Sequence, residues 1–172
     1  ALYERLGEFI FAEGETTLEK AVGELLRSRG LTIGTAESCT GGLLAHRLTS
    51  VPGSSHYFQG SIVAYANDVK TQQLGVRSET LAEHGAVSEA TVREMAEGLR
   101  RHLGVDVALA TSGIAGPDGG TPDKPVGTIC IAYADQHRTV SKQFTFDRGR
   151  QLNVEYTTTA ALNLLRQSLL LS

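Results

Sequence analysis

Apolar residues recur at helical spacing over Thr17–Arg29, where Leu18, Ala21, Val22, Leu25 and Leu26 fall on one stripe. Thr16 or Thr17 can cap the start, and Gly30 stands where a left-handed C-terminal residue is needed. Leu31–Ala36 reads as a short strand, followed by Glu37-Ser-Cys-Thr-Gly-Gly42 and a helical stretch from Leu43 to Leu48. Pro52-Gly53-Ser54-Ser55 is a turn, and Gln59–Ala66 alternates as a strand does. Helices are expected over Asp68–Leu74, Glu79–His84 and Glu89–His102, the last with Ser88 as N-cap and Gly104 as stop. Val105–Ala110 is a near-continuous apolar run, the pattern of a strand covered on both faces. Val126–Ala134 and Thr139–Phe146 predict a hairpin closed by Asp135–Arg138. A last helix is expected over Asn153–Leu170, with Ala161, Leu165 and Leu169 on its apolar face.

Strands and helices that mostly alternate, with one hairpin near the end, predict a single α/β domain. Its expected form is a three-layer α/β/α fold with a mixed, mostly parallel sheet. The domain is expected to span residues 16–172, with 1–15 as a linker remnant or N-terminal extension. The chain opens at Ala1 and its only methionine is Met95, which suggests a processed chain or a piece of a longer one.

Composition narrows the function classes. A net charge of -3 argues against nucleic acid as a partner, which would need a clustered basic face. No apolar run approaches the roughly 18 residues of a membrane span, and no signal-peptide pattern opens the chain, so no membrane partner is expected. The two cysteines, Cys39 and Cys130, make neither a secreted disulfide framework nor a zinc-ligand cluster. A cytoplasmic location and no metal site follow as expectations.

Two polar loops, Glu37–Gly42 and Thr111–Lys124, each follow an expected buried strand. Both should therefore open at the carboxyl end of the sheet, where α/β proteins bind ligands. Ser38 sits between a strand end and a helix start, beside the amides of Cys39, Thr40, Gly41 and Gly42. That position suits a nucleophile whose oxyanion those amides stabilise, although capping is the commoner use of a Ser or Thr there. Cys39 is the competing nucleophile, since a helix N-terminus lowers a thiol pKa; an inert buried thiol is its ordinary fate. None of His46, His56, His84, His102 and His137 has triad-like spacing to an acid. Lys70, just past the Gln59–Ala66 strand and near Tyr65, is the other candidate base, set against the ordinary fate of a solvated helix lysine. Gly113-Ile-Ala-Gly-Pro-Asp-Gly-Gly120 could cradle a phosphate, with Arg148 or Arg150 as a bidentate clamp.

Taken together, Thr35-Ala-Glu-Ser-Cys-Thr-Gly-Gly42, Gly60-Ser-Ile-Val-Ala-Tyr-Ala-Asn67 with Lys70, Gly85-Ala-Val-Ser-Glu89 and Thr111-Ser-Gly-Ile-Ala-Gly-Pro117 resemble the C-terminal domain of CinA proteins. The resemblance runs from about Thr17 to the end of the chain. It implies a nicotinamide-nucleotide amidase, which turns nicotinamide mononucleotide and water into nicotinate mononucleotide and ammonia. The implied catalytic residues fall on Ser38, Tyr65 and Lys70. The glycine-loop hydroxyl falls on Ser112, where this chain has Thr-Ser in place of the usual Thr-Thr, beside Gly113 and Gly116. The implied arginine best matches Arg150, with Arg148 the alternative. The resemblance further implies no metal or organic cofactor, a nucleotide substrate, a homo-oligomer, and a preceding CinA domain joined through Leu2-Tyr-Glu-Arg-Leu-Gly7. The rival reading is a non-catalytic nucleotide-binding or regulatory domain of a competence/damage-inducible CinA protein. A purely structural oligomerisation domain would leave the gathering of hydroxyls and glycines at the strand ends unexplained.

Overall fold

A computed structural model describes residues 15–171. The opening extension expected over residues 1–15, the linker motif included, lies outside them but for Glu15. Helix α1 (Leu18–Arg29) starts where the Thr17 hydroxyl accepts the Lys20 amide and ends at left-handed Gly30, φ 65°. Strand β1 (Ile33–Glu37) follows and is buried throughout. Next come α2 (Leu43–Thr49), a single 3-10 turn at Ser54–His56, and β2 (Phe58–Val63). Three helices follow in series: α3 (Asn67–Leu74), α4 (Ser78–His84) and α5 (Glu89–Leu103). The remainder is β3 (Val107–Gly113), β4 (Thr128–Ala134), β5 (Thr139–Thr145) and α6 (Arg150–Leu170).

The five strands lie in the order β2-β1-β3-β4-β5. β1 pairs in parallel with both β2 and β3, whereas β3–β4 and β4–β5 are antiparallel. The sheet is thus mixed as expected but evenly so, rather than mostly parallel. The reason is local: no helix separates β3 from β4, and a parallel return needs a crossover.

Alternation along the strands sorts the two faces. Ile33, Val107, Leu109, Ile129 and Ile131 meet α1, α2 and α6 on one side, in a cluster with Leu26, Leu44, Leu48 and Leu165. Ala36, Ala108, Ala110 and Ala132 face the other side with Met95 and Leu99 of α5 and Leu74 of α3. Small residues there let α5 approach closely. A Cβ on Gly98 would lie 1.6 Å from the Leu74 carbonyl oxygen, so only glycine fits.

Several element ends differ from expectation. β3 continues to Gly113, so Thr111, Ser112 and Gly113 are strand residues and not loop. Their backbone groups find partners opposite Ile131, Cys130 and Ile129 of β4, which outweighs the weak strand propensity of Gly113. β4 begins at Thr128, after left-handed Gly127, and α6 begins at Arg150, three residues before the expected start. Among the described residues no helix is long and apolar enough to cross a membrane.

Candidate functional site

β1 delivers Ser38 to the carboxyl edge of the sheet. The Ser38 amide donates to the Thr111 carbonyl at 3.0 Å, which extends the β1–β3 ladder by one step. Gly41 and Gly42 then take φ of 60° and 102°, a left-handed pair that turns the chain into α2 and that side chains would resist. Ser38 is left 9% exposed.

The amides of this turn are not distributed as the sequence suggests. Glu37, fully buried, sends its carboxylate into the start of α2. One oxygen accepts the amides of Gly42 (2.9 Å) and Leu44 (3.0 Å) and the Thr40 hydroxyl (2.7 Å). The other accepts the Ala45 amide (2.8 Å) and the hydroxyls of Thr35 (3.2 Å) and Ser61 (3.4 Å). The Gly41 amide donates to the Ser38 carbonyl and that of Leu43 to the Thr40 carbonyl. Gly41 and Gly42 therefore shape the turn but cannot also offer amides to a ligand. The amides of Cys39 and Thr40 are different: neither donates to another described residue.

Cys39 packs inward, and burial pushes its thiol up to about 12. Its sulfur is where a Cβ on Gly113 would come within 3.1 Å. The thiolate is thereby disfavoured, and a helix N-terminus already occupied by Glu37 offers it no relief.

Lys70 departs most from the ordinary fate of a lysine. It lies in the first turns of α3, where side chains lean back toward the helix start. Its amine reaches the carbonyls of Ala64 (2.8 Å) and Tyr65 (3.1 Å). The residue is only 1% exposed, no carboxylate pairs with it among the described residues, and desolvation pulls its pKa below the usual lysine value. Tyr65 is placed otherwise than expected. Its main chain, not its ring, holds Lys70, and the residue is 62% exposed with its hydroxyl accepting from Arg150 at 3.3 Å.

Ser38, Cys39, Tyr65, Asn67, Lys70, Ser112, Gly113, Gly116, Asp118 and Arg150 line one open cleft of about 280 Å³. Arg150, the first residue of α6, bridges the Gly116 carbonyl (2.9 Å) and Tyr65 at this cleft, which Arg148 does not line. Ser112 is 1% exposed and its hydroxyl donates to the Ala86 carbonyl at 2.7 Å, joining β3 to the segment before α5. None of the five histidines lines the cleft. No group of three or more His, Cys, Asp or Glu among the described residues is arranged to hold a metal ion.

Four contributors are not assigned by sequence reasoning. Glu37 could orient its loop or pair with a cation, which the sequence leaves open, Asp118 and Asn67 look like ordinary loop and turn residues, and Asn153 reads only as a helix start. Buried Asn153 donates to the Ala115 carbonyl (3.0 Å) and accepts the Arg148 amide (2.9 Å), so it locks the glycine loop to the start of α6.

The matches to known proteins agree with this geometry. A family model described as CinA C-terminal domain matches residues 15–169. CinA-like proteins of Chloroherpeton thalassium and Salinibacter ruber are 53% and 52% identical over 173 and 169 residues. Each alignment covers 98% of this chain but 41% of the relative, so the chain spans about two-fifths of their length. The crystal structure of competence damage-inducible protein A (ComA) from Klebsiella pneumoniae is 38% identical, with a TM-score of 0.85 over 88% of this chain and 94% of that one. Competence/damage inducible protein CihA from Agrobacterium tumefaciens gives a TM-score of 0.83 at 35% identity, over 92% and 99% of the two chains. With the family model spanning nearly every described element, the chain belongs to the CinA family, as a CinA C-terminal domain.

Proposed function

We propose that this domain is an amidohydrolase that converts nicotinamide mononucleotide and water to nicotinate mononucleotide and ammonia, with Ser38 as nucleophile and Lys70 as base. The observation that carries this reading is the burial of Lys70 against two carbonyls and no carboxylate. A neutral amine has two N–H donors and one lone pair. With both donors held by Ala64 and Tyr65, the lone pair is left for a proton, and the Ser38 hydroxyl lines the same cleft.

The chemistry balances without a cofactor. Lys70 takes the Ser38 proton as the oxygen attacks the carboxamide carbon. The amides of Cys39 and Thr40, which donate to no other residue among those described, are the donors for the oxyanion. The ammonium of Lys70 gives its new proton to the departing nitrogen, and ammonia leaves an ester on Ser38. Water, deprotonated by the same amine, cleaves that ester to the carboxylate. The phosphate falls to Arg150 at the cleft mouth, and Tyr65 serves as the support of that guanidinium rather than as a second base.

One observation favours the rival, a nucleotide-binding module without catalysis: the Ser38 hydroxyl makes no hydrogen bond to Lys70. Catalytic hydrogen bonds often tighten only in the substrate complex, so this does not remove Lys70 as base. Incubation with nicotinamide mononucleotide distinguishes the two. The amidase releases ammonia, and acid quenching traps a mass increment on Ser38 equal to the nucleotide acyl group. Binding of the nucleotide with neither signal would leave only the module.

A further inference from the structure

Glu37 stands one residue before the proposed nucleophile, fully buried, with no cation against it among the described residues. A buried carboxylate is costly unless hydrogen bonds replace its water, and here every partner is a donor. An ordinary helix cap reaches two or three residues ahead. Glu37 instead reaches the amides of Gly42, Leu44 and Ala45, five, seven and eight residues on.

That reach has a mechanical consequence. The backbone of Glu37 is fixed in β1, paired on one side with Val63 of β2 and on the other with Thr111 of β3. Its carboxylate is fixed in the start of α2. Ser38, Cys39, Thr40 and Gly41 are therefore held between the two ends of a single residue. β3 adds a third tie, because Thr111 accepts the Ser38 amide through its carbonyl and its hydroxyl meets that of Thr40 at 2.8 Å. Since the Thr40 proton goes to Glu37, the chain of donors runs from Thr111 to Thr40 to the carboxylate. The pair of left-handed glycines that closes the turn carries no side chains to stiffen it, so the stiffness comes from this clamp.

We infer that Glu37 is a positioning residue for Ser38: its carboxylate, with the Thr40–Thr111 hydroxyl pair, fixes the nucleophile relative to the amides of Cys39 and Thr40, which donate to no other described residue. The inference rests on the reading of Ser38 as the nucleophile. It also assigns a division of labour, in which the positive end of α2 is answered internally and oxyanion stabilisation falls to the amides before it.

The test uses the whole chain with Glu37→Gln and Thr40→Val, and Ser38→Ala as blank. Three quantities are read: the rate of Ser38 labelling by a fluorophosphonate, amide hydrogen exchange over residues 38–45, and steady-state kinetics with nicotinamide mononucleotide. Glu37→Gln should slow labelling and lower kcat by about 100-fold while KM moves less than about threefold, as expected when a reacting atom is displaced and substrate binding is preserved. Exchange at Gly42, Leu44 and Ala45 should accelerate, with α5 and α6 unchanged. Thr40→Val, which removes the hydroxyl tie alone, should give about a tenfold loss in the same direction. A folded Glu37→Gln protein with labelling and kcat within about threefold of wild type would reduce Glu37 to a cap and overturn the inference. Should Glu37→Gln not fold, Thr40→Val decides, and unchanged labelling with unchanged exchange overturns it equally. Slowed labelling in the variants of a wild type that releases no ammonia would keep the clamp and remove the amidase. A wild-type Ser38 that never labels removes the inference with its premise.

Discussion

Between Glu37 and Thr40 the chain is buried and tied by hydrogen bonds to α2 and β3, whereas between Pro117 and Asp123 it lies in solvent. The glycine loop is fastened at scattered points by other elements. Lys124 donates to the His84 carbonyl, Asn153 to that of Ala115 and Arg150 to that of Gly116. Both segments end strands at the same edge of the sheet and both line the cleft. The first holds one atom in place from several directions, as a reacting group requires; the second presents backbone and an arginine that a ligand can rearrange. A stiff chemical wall faces an adjustable binding wall.

On that contrast, changes to the first wall should strike kcat and changes to the second KM. The largest effect belongs to Ser38→Ala, which should lower kcat by about 10⁴-fold or more in a protein of unchanged melting temperature. Retention of a tenth of the activity would move the nucleophile elsewhere. Lys70→Met comes next, with a loss of about 10³-fold, in the range of a lost general base.

Lys70 also sets the pH dependence. Its pKa is lowered in the fold by desolvation, and only the neutral amine accepts a proton, so kcat should rise with pH through that lowered value and level off above it. The unfolded chain binds the proton more readily, so stability should rise with pH between the lowered pKa and the ordinary value of 10.5. Lys70→Met should flatten both slopes. A kcat profile in the variant with the wild-type shape would assign the titration to another group.

On the binding wall the effects should be smaller and selective. Arg150→Ala should cost about 2 kcal/mol in kcat/KM for the nucleotide, the value of a hydrogen bond to a charged group, and leave the phosphate-free nucleoside nearly untouched. Equal losses on both substrates would place the phosphate away from Arg150. Smallest of all, Lys124→Met releases one exposed tether and should raise KM by about threefold, less than 1 kcal/mol, with kcat and Ser38 labelling unchanged. A kcat loss there would mean that the two walls are mechanically coupled.

Much of this was legible in the residues. Periodicity located α1 and α5 because each buries one consistent face, and the order of elements predicted the layered fold. Ser38, Lys70 and Arg150 were picked out by residue type and by position at strand and helix ends, and they line one cleft. What failed were assignments that depend on a distant partner. Thr111–Gly113 looked like loop until β4 lay beside them, and the α2 amides looked free until a carboxylate from the preceding strand took them.

The sequence by itself determined the chemistry on offer and the family, since hydroxyls, glycines and a lysine at those spacings are properties of the chain. Only the tertiary structure decided which groups remain available. A hydrogen-bond donor serves one acceptor well, and which acceptor reaches it first depends on where the sheet, the helices and the loops come together. Burial works the same way: Lys70 is an ordinary lysine in the chain and an anomalous one in the fold, because the fold buries it and removes the water that would keep it charged.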